Sequence, residues 1–451
     1  MPEPNFEPID EMRRRLEAND LEGARALVQG MHTADIADLL EALHDEERAA
    51  LIAVLDDKTA GEVLDEAADD VSTEVIEDLS RERAADILEE LPADDAAEIL
   101  TEISGERAEE LIRHMEREPA ADVRELLEYP ENTAGRLMSR QFVAVRQDMT
   151  AQQGIERLRE LEPSAETTYY VYVTDGEGRL TGVLSLRELI VAPPERPVAE
   201  IMLRDVVSVD AVTDQEEAAN AIAKYDLLAL PVVDEGRLVG IITVDDAIDV
   251  IRDEATEDMQ KMGGIADGDE GIETPAWHAL RKRLPWMLMV LGLYLMVPVG
   301  IAPFQKVIAQ VALLAVFMPV VSAIGGNVGS QALAVTIRAL AGSERPPLWL
   351  FARVGKKELL VGLVQGLALG AMLALVGWVW TRNGFFAAAI GLGLAANVFM
   401  ACLLGGLIPV VLRRLACDPA MLTGPMVTLI MDFFGFVLFL SIAARLLHLL
   451  A

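Results

Sequence analysis

The stretch DPAMLTGPMVTLIMDFFGF, residues 418–436, places one carboxylate, Asp432, within a long apolar run. An ionised side chain at the centre of a membrane helix costs about 2.5–3.5 kcal/mol even on insertion scales. No Lys or Arg elsewhere in the predicted membrane interior could pair with it. The missing fixed cation therefore indicates that Asp432 is matched by a mobile cation or a proton.

Five apolar runs succeed one another around this stretch, at about 284–304, 306–340, 352–381, 385–412 and 420–447. Each is long enough for the roughly 20 residues that cross a bilayer. Buried helices of a soluble protein are the alternative, but five such runs would need a larger core than this chain can build. We therefore predict a five-helix transmembrane pore domain over residues 281–451.

Charge divides the chain into two unlike parts. Residues 276–451 carry thirteen Lys and Arg but four Asp and Glu, a net charge of +9, so that residues 1–275 carry −44 of the total of −35. Ten of those thirteen bases face the cytoplasm if the acidic half is cytoplasmic, which satisfies the positive-inside rule and puts the C-terminus outside. The N-terminus lacks an apolar signal segment, and Cys402 and Cys417 give no disulfide framework.

The acidic half begins with a helical repeat. Phrases such as ADIADLL at 34, RAADILEEL at 83 and DAAEILTEI at 95 recur through residues 34–127. Their spacing predicts short helices, often opened by Asp or Ser as N-caps, stacked into a superhelix. We predict an all-α N-terminal domain over 1–130, with a scaffold role as its default function.

A second repeat follows at a longer period. YVYVTDGEGRLTGVLSLRELIVA at 170–192 is echoed by LPVVDEGRLVGIITVDDAIDVI at 230–251, and each copy predicts a β-hairpin followed by a helix. The pair resembles tandem α/β CBS modules, which we assign to residues 131–200 and 201–250. An acidic connecting helix and linker then occupy 251–280.

In nucleotide-binding CBS pairs, a Ser or Thr followed three residues later by Asp contacts the ribose and phosphate of an adenosine ligand. Thr243 and Asp246 keep that spacing, whereas Ser185 is paired with Glu188. Many CBS pairs bind nothing, and Leu227 stands where an aromatic residue occurs in some relatives that bind ATP. The candidate contacts for ATP are Tyr170, Ser185, Arg187, Glu188 and Thr243.

The membrane half contains two stretches rich in polar or small residues. In PVVSAIGGNVGSQALAVTIRAL at 319–340, the glycines let backbone approach backbone or a hydrated ion, and close helix packing is the alternative. In the second stretch, Pro425 and Thr428 precede Asp432 within the same helix. Oxygen ligands without clustered His or Cys favour a hard divalent cation over zinc. The candidate pore residues are Asp432, Asn327, Gly325, Gly326, Gly329, Gln331, Thr428 and Pro425.

The order of these parts, with YPENTAGRLM at 129–138, PVVSAIGGNVGSQ at 319–331 and PMVTLIMDFFG at 425–435, resembles the MgtE family of magnesium channels. The resemblance implies a homodimer in the cell (inner) membrane that passes Mg²⁺ inward through a pore between its subunits. The resemblance also implies that Asp432 is the pore carboxylate that holds hydrated Mg²⁺. It implies that the connecting helix is a plug that closes the pore when cytosolic Mg²⁺ is high.

The same resemblance implies regulatory Mg²⁺ sites in the acidic half, where bound cations would relieve the self-repulsion of so many carboxylates. Three acids on the connecting helix, Glu254, Glu257 and Asp258, share one face because of their i, i+3, i+4 spacing. The residues that match the family's sensor sites, besides the pore ligand Asp432, are Glu62, Asp94, Glu98, Asp214, Glu216, Asp226, Asp246, Asp249, Glu254, Glu257 and Asp258.

Two other functions compete with a magnesium channel. A transporter of Co²⁺ or Mn²⁺ would use the same carboxylate and water ligands. A membrane-tethered CBS nucleotide sensor without transport would leave Asp432 without a purpose. An enzyme is not predicted, because no nucleophilic constellation or phosphate-binding loop occurs, and the net charge of −35 disfavours a nucleic-acid partner.

Overall fold

The computed structural model describes residues 6–161, 170–265, 276–340, 348–415 and 419–448. The chain divides into two compact units, Met1–Ile251 and Arg252–Ala451. The division falls inside one continuous helix, and each unit is described by itself. The predicted fold class is confirmed: a helical N-terminal region, two small α/β sheets and a helical membrane region follow one another.

The N-terminal region is a superhelix of short helices, in which most helices pack against the second helix along the chain. Asp20, Asp56 and Ser80 accept hydrogen bonds from the first turns of the helices that follow them, as the repeat predicts. Alanine, leucine and isoleucine fill the core between the layers. The helices are α1 (Phe6–Glu17), α2 (Leu21–Val28), α3 (Thr33–Glu41), α4 (Asp45–Val54), α5 (Asp57–Glu66), α6 (Asp69–Asp78), α7 (Arg81–Glu90), α8 (Ala93–Glu102), α9 (Gly105–His114) and α10 (Arg117–Leu127).

Two three-stranded sheets follow, and each contains the predicted hairpin plus one leading strand that runs parallel to it. Sequence periodicity missed the leading strands because they are two or three residues long. The first sheet and its helices are α11 (Ala134–Leu137), β1 (Ala144–Arg146), α12 (Ala151–Leu161), β2 (Tyr170–Thr174), β3 (Leu180–Ser185), α13 (Leu186–Val191) and α14 (Val198–Ile201). The second comprises β4 (Val209–Asp210), α15 (Gln215–Tyr225), β5 (Ala229–Asp234), β6 (Arg237–Thr243) and α16 (Val244–Gly263).

The two sheets exchange their leading segments. Ser139 pairs with Ile241 of the second sheet, whereas Leu203 pairs with Val183 of the first. The matched glycines of the repeat allow each leading segment to lie directly on the other sheet. A Cβ at Gly182 would lie 2.5 Å from the sulfur of Met202, and a Cβ at Gly240 would lie 2.5 Å from the sulfur of Met138. The bridges thus connect each leading segment to the sheet of the other module, while the module boundaries at 131–200 and 201–250 stay predictions.

The membrane region contains five helical spans long and apolar enough to cross a bilayer among the described residues, as predicted. The first span is interrupted and ends at Gln310, so the residues from 306 onward that we assigned to the second span close the first. The elements are α17 (Ala276–Tyr294), α18 (Met296–Ile301), a 3₁₀ turn (Ala302–Phe304), α19 (Gln305–Gln310), α20 (Leu313–Leu340), α21 (Leu348–Thr381), α22 (Gly384–Arg414) and α23 (Pro419–His448).

Glycines bring the membrane helices into direct backbone contact. A Cβ at Gly405 of α22 would lie 2.4 Å from the carbonyl oxygen of Gly329 on α20, and one at Gly370 of α21 would lie 2.5 Å from that of Gly391. Lipid offers no hydrophobic driving force between helices, so close packing of small residues holds such bundles together. Helix α22 is central, since it packs against α20, α21 and α23.

Candidate functional site: a membrane carboxylate and an acidic cleft

Asp432 lies where α23 meets α20, and a hydroxyl group holds one of its oxygens. The Ser322 Oγ donates a hydrogen bond of 2.5 Å to Asp432 Oδ1. Among the described residues, no Lys or Arg forms an ion pair with Asp432. Ser322 was missed as a partner because the two residues are 110 positions apart.

The polar face of α20 divides into a buried and an exposed part. The side chains of Asn327 and Gln331 are exposed on the isolated chain. Gly326 is half-buried, and a Cβ added there would lie 4.0 Å from the Cγ2 of Thr428. Lipid cannot hydrogen-bond to exposed amides, so these two side chains require water or another protein chain beside them.

Gly325 and Gly329 are buried within the same chain. A Cβ at Gly325 would lie 2.4 Å from the Nδ2 of Asn397, and one at Gly329 would lie 2.0 Å from the terminal methyl of Met431. This burial favours helix packing over the pore-facing role that we predicted for these two glycines. Pro425 falls within α23, but its side chain lies outside the described part of the structure.

A second polar site lies inside the first unit, where the superhelix meets the second sheet. Asp94, Asp95 and Glu98 of α8 line a cavity of about 120 Å³ together with Asp246 of α16. Asp94 is only 9 % exposed, and its Oδ1 is buried with no hydrogen-bond partner among the described residues. A buried carboxylate oxygen without a donor is costly, and a cation or a proton would satisfy it.

The carboxyl groups of this cleft have unusual proton affinities. Desolvation, followed by the charge of Asp246, raises the pKa of Asp94 to about 8. Desolvation raises the pKa of Asp246 to about 6, although hydrogen bonds from the Thr243 backbone and hydroxyl, at 3.1 and 2.5 Å, oppose that rise. These pKa values mean that the cleft resists holding all of its negative charge at once.

Two further acids belong to this cluster and were not singled out from the sequence. Desolvation and the charge of Asp94 raise the pKa of Asp95 well above its ordinary value, and Asp65 of α5 shares a hydrogen bond with Asp95. Desolvation also raises the pKa of Asp65. No sequence signal separated these residues from the many other acids, because Asp65 and Asp95 are 30 positions apart and only the fold of the superhelix brings their side chains together.

The other predicted sensor residues are dispersed over the two units. Glu62 is exposed and lies 3.9 Å from Lys58, Asp214 caps α15, and Asp226 has a left-handed backbone at the end of that helix. Glu216 lies in the first turn of α15, and Asp249 is exposed on α16. Glu257 pairs with Lys261 at 2.5 Å on α16, which also carries Glu254 and Asp258.

No group of three or more His, Cys, Asp or Glu side chains within the described ranges is arranged to coordinate a metal ion directly. The carboxylates of the cleft nonetheless fit Mg²⁺ in chemistry, because Mg²⁺ keeps several waters and is held by one or two carboxylates. Asp94, with its unpartnered oxygen, is the residue best placed to accept hydrogen bonds from such a hydrated ion.

The candidate nucleotide residues gather on the first sheet. Tyr170 lies opposite Ser185 in the β2–β3 pair. Ser185 and Glu188 form a capping box, in which the Ser185 N–H and hydroxyl both donate to Glu188 Oε2 at 2.9 Å. Arg187 is exposed beside them, whereas Thr243 belongs to the second sheet, where Asp246 already accepts its hydroxyl proton.

A membrane carboxylate without a described basic partner, exposed amides on the helix that contacts it and a strongly acidic first unit are typical of divalent cation transporters. Residues 318–442 match the family model described as MgtE divalent cation transporter. Residues 31–132 match the MgtE intracellular N domain, and residues 134–195 and 198–253 match the CBS domain.

Curated relatives identify the family. The chain is 43 % identical over 334 residues to the magnesium transporter MgtE of Thermus thermophilus, covering 73 % of each protein. It is 38 % identical over 328 residues to that of Enterococcus faecalis, covering 72 % of each. A crystal structure of the cytosolic domain of the Mg²⁺ channel MgtE in complex with ATP is 41 % identical, with a TM-score of 0.50 over 54 % of this chain and 99 % of that one. The chain therefore belongs to the MgtE family of magnesium transporters.

Proposed function

We propose that the chain is a magnesium channel that admits Mg²⁺ across the cell membrane and closes when Mg²⁺ binds to its acidic cytosolic domains. The observation that carries the proposal is the Asp432 carboxylate, held by a hydroxyl group and by no described basic side chain, on helices whose neighbouring amides are exposed. A carboxylate in that position is stable when a cation visits it.

The pore is formed between two copies of the chain. A two-fold axis beside α20 and α23 would bring two Asp432 carboxylates together and surround the exposed Asn327 and Gln331 with water instead of lipid. Because Mg²⁺ loses its waters reluctantly, the ion is held through its hydration shell, with carboxylate and amide oxygens as acceptors.

Exposed apolar residues on the CBS pair support the homodimer. Ile190 on α13 and Ile248 on α16 occupy equivalent positions in the two modules, and both are 60 % exposed. Large aliphatic side chains at matching positions of an internal repeat form a self-complementary surface that a second copy would cover.

The acidic cleft is the regulatory site. A cation bound among Asp94, Asp95 and Asp246 would neutralise the repulsion that raises their pKa values and would hold the superhelix on the second sheet. Glu254, Glu257 and Asp258, on the same helix as Asp246, would transmit that state to the pore as the family's plug helix. In this orientation the acidic half is cytoplasmic and the C-terminus is outside.

ATP is the proposed ligand of the first CBS module, at Tyr170, Ser185, Arg187 and Glu188. The support is their clustering at one end of the β2–β3 hairpin and the similarity to an MgtE cytosolic domain whose structure contains ATP. Leu227 lacks the aromatic surface that an adenine ring would stack on, so binding here is weaker than in relatives with that ring.

Magnesium flux into proteoliposomes tests the pore. We expect D432N and D432A to abolish Mg²⁺ uptake without loss of dimerisation, and cobalt hexammine, which mimics hydrated Mg²⁺, to block the unchanged protein. The matched control is E358Q, since Glu358 is a buried membrane-unit carboxylate that pairs with Lys357 at 3.4 Å. Normal uptake by D432N would refute the channel assignment, and preference for Co²⁺ or Mn²⁺ in competition would refute magnesium as substrate.

A further inference from the structure

A second buried polar residue stands behind the Ser322–Asp432 pair. Asn397 of α22 is 2 % exposed, and its Nδ2 donates a 2.8 Å hydrogen bond to the carbonyl oxygen of Val321, the residue before Ser322. An asparagine buried in a membrane helix, with one hydrogen-bond partner among the described residues, requires an explanation.

The amide of Asn397 fits into a slot between two glycines on different helices. A Cβ at Gly325 of α20 would lie 2.4 Å from its Nδ2, and a Cβ at Gly435 of α23 would lie 2.5 Å from its Oδ1. Gly435 is three residues after Asp432 and therefore lies on the same face of α23. Asn397 thus touches both helices within one turn of the two residues that form the Ser322–Asp432 hydrogen bond.

This arrangement makes the two carboxylate oxygens unequal. Oδ1 already accepts the Ser322 hydrogen bond, and Asn397 holds the backbone beside Ser322, so Oδ2 is the oxygen with more acceptor capacity left for an ion or its water. A hydrated Mg²⁺ needs one oxygen as an acceptor for its water, whereas Ca²⁺ favours more numerous oxygen ligands, including bidentate carboxylates. Bidentate coordination at Asp432 would have to share Oδ1 with the Ser322 hydrogen bond, which weakens both interactions.

We propose that Ser322 and Asn397 are positioning residues that hold Asp432 in a one-oxygen geometry and so make the site discriminate against Ca²⁺. The inference rests on the proposed role of Asp432 in the ion path. It differs from that role in what it predicts, because it concerns the relative affinity of two ions and not whether any ion passes.

The experiment measures Mg²⁺ flux into proteoliposomes and the Ca²⁺ concentration that halves it. In S322A, with inhibition expressed relative to that variant's own Mg²⁺ flux without Ca²⁺, we expect that concentration to fall about tenfold, the order of one charge-assisted hydrogen bond. S322T restores the hydroxyl and should return the value toward that of the unchanged protein. N397A should shift it in the same direction as S322A, and S441A, a serine elsewhere on α23, is the control.

The outcomes separate the two proposals. If D432N loses flux while S322A and N397A show unchanged inhibition by Ca²⁺, the inference is overturned and the proposed function stands. If S322A and N397A lose flux equally for all ions, their role is structural, and the inference is overturned as well. Persistent flux in D432N would overturn the proposed function itself. If S322A does not reconstitute, S322C replaces it, since a thiol of similar size is a much weaker donor.

Discussion

Asp94 of α8 and Asp246 of α16 line one cavity, where desolvation and then the charge of Asp246 raise the pKa of Asp94 to about 8. The two residues come from the helical domain and from the second CBS module, so their repulsion acts directly on the contact between these parts. A proton or a cation in the cavity strengthens that contact, and an empty, fully ionised cavity weakens it.

The pH dependence of stability follows from these pKa values. Both carboxyls bind protons more tightly in the folded chain, with pKa values of about 8 and about 6, than in the unfolded chain. Their contribution to stability is therefore complete below about pH 4 and is lost as the pH rises through 6 and then 8. We expect the melting temperature in EDTA to fall across this range and Mg²⁺ to restore it at pH 8.5.

D94N should remove the fall in melting temperature that occurs as the pH rises through about 8. It should therefore raise the melting temperature at pH 8.5 by about 2–5 °C. The measurement is thermal unfolding of the full chain in detergent, at fixed ionic strength. An unchanged slope between pH 6 and 8.5 in D94N would show that Asp94 is not the titrating group.

Gating by internal Mg²⁺ should depend on the helical domain. Deleting residues 1–130 removes the α5 and α8 carboxylates, so we expect conduction to persist while closure by Mg²⁺ weakens. The measurement is patch-clamp open probability against internal Mg²⁺. D78N is the control, because Asp78 is an exposed acid of the same domain and is not a cavity-lining residue. An identical inhibition curve in the deletion would exclude the helical domain from the sensor.

The glycine contact between α20 and α22 should not tolerate a methyl group. In G405A the added carbon would lie 2.4 Å from the Gly329 carbonyl oxygen, which forces the helices apart and costs about 1–3 kcal/mol. We expect a lower melting temperature in detergent. G292A on α17 is the matched control, since a Cβ there meets no atom within 4 Å. Equal stability of the two variants would contradict the packing role.

Nucleotide affinity should rise when an aromatic ring is supplied at position 227. Stacking of a base on an aromatic side chain is worth about 1–3 kcal/mol, so L227F should bind ATP about tenfold more tightly in equilibrium dialysis. L228F, one residue further on, is the control for added bulk. Weaker or unchanged binding in L227F would mean that adenine does not lie against this position.

Local sequence features were sufficient to predict most of the elements, but not the short leading strands β1 and β4. The short helices of the superhelix, both hairpins and the five membrane spans follow from hydrophobic periodicity, N-caps and run length, which act over a few neighbouring residues. The ends of the membrane spans were predicted less well than their existence. The first span ends at Gln310, beyond the apolar run of about 284–304 from which it was predicted.

Sequence by itself was enough to propose Asp432 as the pore ligand, because a carboxylate without a basic companion in an apolar run is costly wherever the chain folds. Its partner Ser322, the amide of Asn397 behind it, and the addition of Asp65 and Asp95 to the acidic cleft depended on tertiary structure. Those contacts join residues far apart in the chain, and no local pattern encodes which serine or which of many acids will meet. Hydropathy alone singled out the membrane carboxylate, and packing between distant helices decided which side chains surround it.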